Sequence, residues 1–260
     1  MIIETSSLVD KGTALVTAAG RRIGKAIALD LGQQGYNVAV HFHTSRAEAE
    51  DVADQICQSG VNAKSFQADL SDTESVQRLL PDIAQNLGPV TCLVNNASVF
   101  EPDDVDTLTA DSWDAHHDVN LRAPTLLARA FADQLPNETQ GNIINMIDER
   151  VWRPNPQFMS YYASKFGMWG LTQTMAQGFG AKIRVNGIGP GPTLKNTRQT
   201  DAQFAEVQNR LPLGYGPTLA DICRTLRFIL CTPSLTGQMI ALDCGQHLAW
   251  QTPDLEGSDG

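Results

Sequence analysis

Ile143-Ile144-Asn145-Met146-Ile147-Asp148 and, after a polar loop, Ser160-Tyr161-Tyr162-Ala163-Ser164-Lys165-Phe166-Gly167-Met168-Trp169 form the stretch from which the fold reads. The first part is a short apolar run, expected to be a buried strand. The second opens a helix, with Ser160 placed to cap it. Tyr161 and Lys165 stand four apart and share a helix face. An ammonium beside a phenol favours the phenolate, so Lys165 is expected to draw the Tyr161 hydroxyl down toward neutrality. A tyrosine so tuned passes a proton at neutral pH. Asp148 lies at the strand's C-terminal end, thirteen residues before Tyr161. The Tyr-x-x-x-Lys spacing also suits an ordinary amphipathic helix, so its meaning depends on the rest of the chain.

Outward from this stretch, apolar runs alternate with helical patterns. Strands are expected at 13–17, 37–42, 63–67, 91–94, 142–147, 183–188 and 238–242. Helices are expected at 22–34, 47–59, 73–86, 110–134, 161–178 and 219–230. This alternation predicts an α/β fold, a parallel sheet with helices on both faces. With no internal repeat and no Pro/Ser-rich linker, residues 1–260 read as a single domain with a core over 13–250. Segment 190–215 breaks the rhythm with Pro, Gly, Thr and polar residues. Ligands in such folds sit outside the C-terminal strand ends, so this segment is expected to be a lid. Residues 251–260 read as a loose acidic tail.

Composition narrows the function. The chain has 260 residues and is 42% hydrophobic, enough for one large α/β domain. A net charge of −10 with no basic block argues against a nucleic-acid or anionic-membrane surface. No apolar run approaches the roughly 18 residues of a membrane span. The N-terminus lacks the basic and apolar regions of a secretory signal. Cys57, Cys92, Cys223, Cys231 and Cys244 are scattered, with no Cys-x-x-Cys pair. They read as reduced thiols of a cytoplasmic protein rather than a disulfide frame or zinc site.

The first strand runs into Thr17-Ala18-Ala19-Gly20-Arg21-Arg22-Ile23-Gly24. A Gly-containing turn between strand and helix is where a dinucleotide pyrophosphate meets a helix N-terminus, though a simple βα turn has the same outline. The second strand ends in His41-Phe42-His43-Thr44-Ser45-Arg46. NAD sites place an acid there, and the first acid here is Glu48. Small hydroxyls with Arg46, and Arg21 nearby, suit a 2′-phosphate, so NADP(H) is favoured. The two histidines share a sheet face, but no third ligand accompanies them and no metal is expected.

With Asn95-Asn96-Ala97-Ser98 and Tyr161-x-x-x-Lys165 the chain resembles the short-chain dehydrogenase/reductase family. The likeness runs through the Thr17–Gly24 turn, Asp69, Asn120, Pro190-Gly191 and Asp243-Cys244-Gly245. It implies a Rossmann-type doubly wound sheet of about seven strands, a homotetramer or homodimer, and hydride transfer with a nicotinamide cofactor. Residue by residue, it implies cofactor contacts from Thr17, Arg21, Arg22 and Ile23 in the turn. It adds His43, Thr44, Ser45 and Arg46 after strand two, then Asp69 at the adenine amino group and Leu70 beside it. Asn95, Ala97 and Ser98 would line the ribose and nicotinamide, and Pro190, Gly191 and Thr193 the carboxamide. Lys165 would hold the nicotinamide ribose and acidify Tyr161, and Asn120 would hold a water relay to Lys165. Asp69 as a helix cap, Asn120 at a helix kink and Asn95-Asn96 as a turn are the plainer readings.

Departures from the family pattern are more informative. The residue thirteen before the tyrosine is usually serine, which donates to a carbonyl oxygen. Here it is Asp148. A carboxylate beside a developing alkoxide raises the barrier, whereas a C=N acceptor, whose nitrogen gains a proton, suits it. A burial-neutralised Asp148 would still donate. The same departures mark the pteridine reductases of this family: Asp for that serine, Arg22 for the second turn glycine, and Ser98-Val99-Phe100 after Asn-Asn-Ala. The resemblance implies a small-molecule, pterin-like substrate held by Arg22, Ser98, Phe100, Asp148 and Tyr161, with the flat ring between nicotinamide and Phe100. Ala18 stands where those enzymes have glycine, a mild change only if the backbone there needs no positive φ. Trp152, Phe158 and segment 195–215 are expected at the far end of the substrate. A general carbonyl or 3-oxoacyl reductase, and a non-catalytic NADP-binding protein, are the alternatives.

Overall fold

In the computed structural model, residues 11–249 are described; the expectations for the leader and for tail 251–260 lie outside them. Seven parallel strands form one sheet in the order β3-β2-β1-β4-β5-β6-β7. They are β1 Thr13–Val16, β2 Asn37–Phe42, β3 Ala63–Gln67, β4 Val90–Asn95, β5 Gly141–Met146, β6 Ile183–Pro190 and β7 Met239–Leu242. The helices are α1 Arg22–Gln33, α2 Arg46–Cys57, α3 Thr73–Leu87, α4 Ala110–His117, α5 Ala123–Gln134, α6 Met159–Phe179, α7 Asp201–Asn209 and α8 Leu219–Cys231. Central strands are apolar on both faces because each face is covered. Val16, Val40 and Val94 pack with Ile27, Leu31, Ile222 and Leu226 on one side. Leu15, Leu93 and Ile143 pack with Leu80, Leu127 and Phe131 on the other. This is the layering a parallel sheet requires.

Strand order reverses between β1 and β4, opening a crevice at the C-terminal strand ends. Register fixes what reaches it. Val16 lies opposite Val94, Asn95 opposite Asn145, and Met146 opposite Ile188. Buried Asn95 donates to Asn145 Oδ1 at 2.8 Å, and Asn145 donates to Thr172 Oγ1 at 2.9 Å. This polar chain bolts β4 and β5 to α6, the helix carrying Tyr161 and Lys165.

Three expectations need correction. The 110–134 helix is two helices joined by a π turn at Asp118–Arg122 that carries Asn120. Segment 190–215 is not irregular throughout: it contains α7, capped by a Thr200/Gln203 capping box. Ser160 does not cap α6. The cap position is Phe158, at φ 60°, and Ser160 is buried in the first turn. Among the described residues no helix is long and apolar enough to cross a membrane.

Asn145→Ala would leave the Asn95 amide without its acceptor in a dry interior and remove the donor to Thr172, whose hydroxyl keeps its bond to Met168 O. It should lower stability by about 1–3 kcal/mol, read from urea unfolding. A change under about 0.5 kcal/mol, within ordinary surface-mutation scatter, would mean the chain of bonds is incidental.

Candidate active site

Tyr161 is buried, and its hydroxyl donates to Asp148 Oδ2 at 2.8 Å. Asp148 Oδ1 accepts the Arg150 backbone N–H at 2.9 Å, which turns the carboxyl inward. Lys165 is buried, with Nζ donating to Met146 O at 2.8 Å and lying 5.6 Å from the Tyr161 ring centroid. β5 delivers Met146 and Asp148, and α6 delivers Tyr161 and Lys165 one turn apart.

This geometry reverses one expectation. The Tyr161 hydroxyl is not drawn toward neutrality; burial and then the charge of Asp148 push it well above its ordinary value. Burial raises Asp148 as well. Burial also lowers Lys165 to about 8, with Asp148 opposing that shift. Lys165 is aimed at a backbone carbonyl, whereas the carboxyl touches the phenol directly. The resting tyrosine therefore holds its proton.

Asn120 lies behind this group. Its amide donates to Val99 O at 3.0 Å and Ser164 Oγ at 3.1 Å, and its Oδ1 accepts from Val99 N–H at 2.8 Å. The side chain thus joins the Phe100 loop to α6, and a water relay through Asn120 would have to use its main chain.

A cavity of about 510 Å³ opens in front of Tyr161. Arg22, Phe100, Asp148, Tyr161, Pro190, Gly191 and Thr193 line it, together with Ile23. A second cavity, about 350 Å³, is lined by Arg21, Arg22, Ile23, His43, Thr44, Ser45 and Ser98. Arg22 and Ile23 border both, so the expected substrate and nucleotide ends meet there. Ser98 borders the second cavity only, with its hydroxyl on Val99 O at 3.2 Å. The remaining residues expected at the cofactor line neither cavity. Thr17 Oγ1 accepts from Asn96 and Ala97 N–H at 2.8 and 2.9 Å. Asp69 accepts from Ser71 N–H and hydroxyl, which holds its carboxyl below the usual range. Leu70 is buried beside it. Trp152 is 45% exposed and packs on His247 at 5.1 Å, so the expectation that it lines the substrate end is not met.

The second cavity fits a dinucleotide phosphate. α1 begins without a side-chain cap, leaving its first N–H groups for an anion. A Cβ on Gly24 would lie 2.3 Å from Ala18 O, so only glycine lets the turn pack this closely. Arg46 lies 3.4 Å from both Glu50 and Gln67, and Arg21 pairs with Glu48. All are exposed contacts that a phosphate can displace. Ala18 does need a positive φ, at 51°, as does Arg22 at 54°. The alanine is therefore not a mild change: a non-glycine residue in this region costs about 1–2 kcal/mol.

Phe158 and segment 195–215 are expected near this end, as is Arg22, but their contacts are not, and sequence reasoning missed Asp103 and Glu149 altogether. Phe158 stacks on Phe100 at 4.4 Å, and Arg198 lies against both rings at 5.9 and 5.4 Å while donating to Phe100 O. Arg22 donates to Leu194 and Lys195 carbonyls at 3.3 and 3.0 Å, so two arginines tie segment 190–215 to the cavity rim. Asp103 accepts from Ser160 N–H at 3.1 Å and from the Ser160 hydroxyl, capping α6 from 57 residues away. Glu149 is buried beside Asp148, with Oε2 unpartnered. Of the two missed residues only Glu149 had a visible signal, its place next to Asp148.

A model of the short chain dehydrogenase family matches residues 12–206. The chain belongs to this family. It is 31% identical over 243 residues to 3-oxoacyl-[acyl-carrier-protein] reductase FabG of Staphylococcus aureus strain Mu50, covering 91% of this chain and 98% of that protein. FolM alternative dihydrofolate reductase 1 from Brucella canis, solved with NADP, superposes with TM-score 0.92 at 46% identity, over 95% of this chain and 98% of that one. A short chain dehydrogenase from Burkholderia cenocepacia J2315, also solved with NADP, gives TM-score 0.86 at 30% identity, over 94% and 100%.

Burial, then the charge of Asp148, raise Glu149 from 4.5 to about 8. Between those values the folded protein holds a proton that the unfolded chain releases. Stability from this group is complete below 4.5 and is lost as pH rises through about 8. Glu149→Gln should therefore flatten the fall in the urea midpoint across that window. Parallel profiles for variant and wild type would place Glu149 elsewhere.

Proposed function

We propose that the protein is an NADPH-dependent reductase of a pterin, of dihydropterin or dihydrofolate type, acting on a ring C=N bond. The observation that carries this reading is the Tyr161–Asp148 hydrogen bond at the floor of a cavity bearing Phe100. When bound, the dihydronicotinamide supplies hydride to the ring carbon. Tyr161 gives its proton to the neighbouring nitrogen, which becomes N–H as the C=N bond becomes single. A tyrosinate facing a carboxylate is repulsive, so Asp148 assists by carrying or returning a proton, in keeping with its raised affinity for one. Lys165 holds the nicotinamide ribose and limits the charge left on Tyr161. Asn120 supports a proton relay behind them.

The flat ring would stack on Phe100, between it and the nicotinamide, with Phe158 backing the aromatic wall. Arg22, on the border of both cavities, serves the pyrophosphate and one edge of the heterocycle, and Ser98, on the second cavity, bonds a phosphate or the near edge of the ring. Thr44, Ser45, Arg46 and Arg21 hold the 2′-phosphate, Asp69 the adenine, and Pro190, Gly191 and Thr193 the carboxamide. The 46% identity to a FolM dihydrofolate reductase solved with NADP supports both substrate class and cofactor. The 31% identity to FabG keeps a 3-oxoacyl reductase as the second reading. A homotetramer or homodimer in the cytoplasm accords with the family.

Tyr161→Phe should bind NADPH while turnover with dihydropterins falls at least about 100-fold; wild-type rates would remove it as proton donor. Asp148→Ser should shift preference from dihydropterins toward ketones and acetoacetyl thioesters. If wild type prefers the thioesters and Asp148→Ser changes nothing, the FabG-like reading holds instead.

A further inference from the structure

His41, one residue before the end of β2, faces the turn after β1 and is 1% exposed. Both ring nitrogens are engaged. Nδ1 accepts the Ala18 N–H at 3.0 Å, and Nε2 lies 3.2 Å from Ala68 O, to which it donates. The His41 carbonyl accepts the next N–H of the turn, from Ala19, at 2.8 Å. These bonds join three segments that converge on the nucleotide cavity: the βα turn, the start of the His43–Arg46 loop, and the end of β3 just before Asp69.

Ala18 is where the turn needs such help. It has φ 51°, a conformation glycine adopts freely and alanine resists. Its carbonyl is fixed by Asn96 Nδ2 at 3.3 Å and by the close approach of Gly24. Its N–H is fixed by the imidazole. With the ring replaced by a hydrocarbon, that N–H would lose its acceptor, and the peptide would be freer to rotate toward negative φ. Rotation would move Ala18 O from its close packing against Gly24, at the start of the helix that receives the phosphates. Burial lowers His41 to about 4, so the ring stays neutral and Nδ1 stays an acceptor across the working pH range. Full use of both nitrogens by backbone leaves no lone pair for a metal.

We propose that His41 is a positioning residue for the nucleotide, its imidazole holding Ala18 in the left-handed conformation that the phosphate turn requires. The proposal rests on the NADPH reading above. It makes His41 and Ala18 an energetically coupled pair: the histidine matters because residue 18 has a Cβ.

The test is a double-mutant cycle on NADPH affinity, measured by fluorescence titration without substrate and by the thermal shift NADPH gives. His41→Leu should weaken NADPH binding about tenfold and raise its KM more than it lowers kcat. In the Ala18→Gly background the same change should cost less than about threefold. His41→Asn, whose Oδ1 takes the place of Nδ1, should stay within about threefold of wild type. If His41→Leu does not fold, folding of Ala18→Gly/His41→Leu with NADPH affinity near wild type is the rescue expected. Equal losses with alanine or glycine at 18, no loss in His41→Leu, or an Asn variant as weak as Leu would overturn the proposal. So would failure of both the double variant and His41→Asn to fold. If wild type itself binds no NADPH, the cofactor reading fails, a result separate from these.

Discussion

The hydrogen bond from the Tyr161 hydroxyl to the Asp148 carboxyl constrains everything around it. A phenol and a carboxyl in contact at a mostly buried site cannot both be ionised without strong repulsion. The phenol therefore keeps its proton, and burial pushes both groups the same way. The family's usual serine imposes no such condition, since a neutral hydroxyl tolerates a neighbouring phenolate. An aspartate there suits the reductive direction, in which the enzyme must begin with a proton to give.

That constraint explains how much structure is spent on holding two residues in place. Asp148 is oriented by the Arg150 N–H, and Tyr161 by a helix start that Asp103 caps from a distant loop. Burial alone would raise the Asp103 carboxyl, and hydrogen bonds from Ser160 and Ser112 outweigh it, holding it below the usual range. His116 joins the same cluster, with Nδ1 within 2.7 Å of Ser160 Oγ and Ser112 O, while Nε2 accepts from Glu101 N–H at 3.1 Å. The loop bearing Phe100 and the helix bearing Tyr161 are thus one rigid unit. Segment 190–215 closes over it through Arg22 and Arg198.

The sheet was legible because parallel strands buried on both faces write themselves as apolar runs. β2 and β3 agree with expectation to the residue, and the others differ only at their ends. The π turn was not legible as a break in the 110–134 helix, since no Gly or Pro precedes it there, although a kink at Asn120 was one of the plainer readings. α7 was hidden by the Pro and Gly around it, although Thr200 and Gln203 carry its capping signal. Family positions marked Tyr161, Asp148 and Arg22, and all three line the main cavity. The Tyr161 shift was misjudged because spacing along a helix shows that Lys165 shares a face, not where Nζ points. Asp103, His41 and Arg198 act through contacts spanning 23 to 98 residues, and no local pattern announces those.

The central claim is a statement about one proton, and carbon-13 NMR of protein labelled at tyrosine Cζ reads it directly. In wild type without nucleotide, the Tyr161 signal, assigned by its loss in Tyr161→Phe, should stay in its phenol form beyond pH 10. In Asp148→Asn, with the carboxylate charge gone, its midpoint should fall. A wild-type Tyr161 that ionises near neutrality, or one that titrates identically when residue 148 is asparagine, would contradict the account.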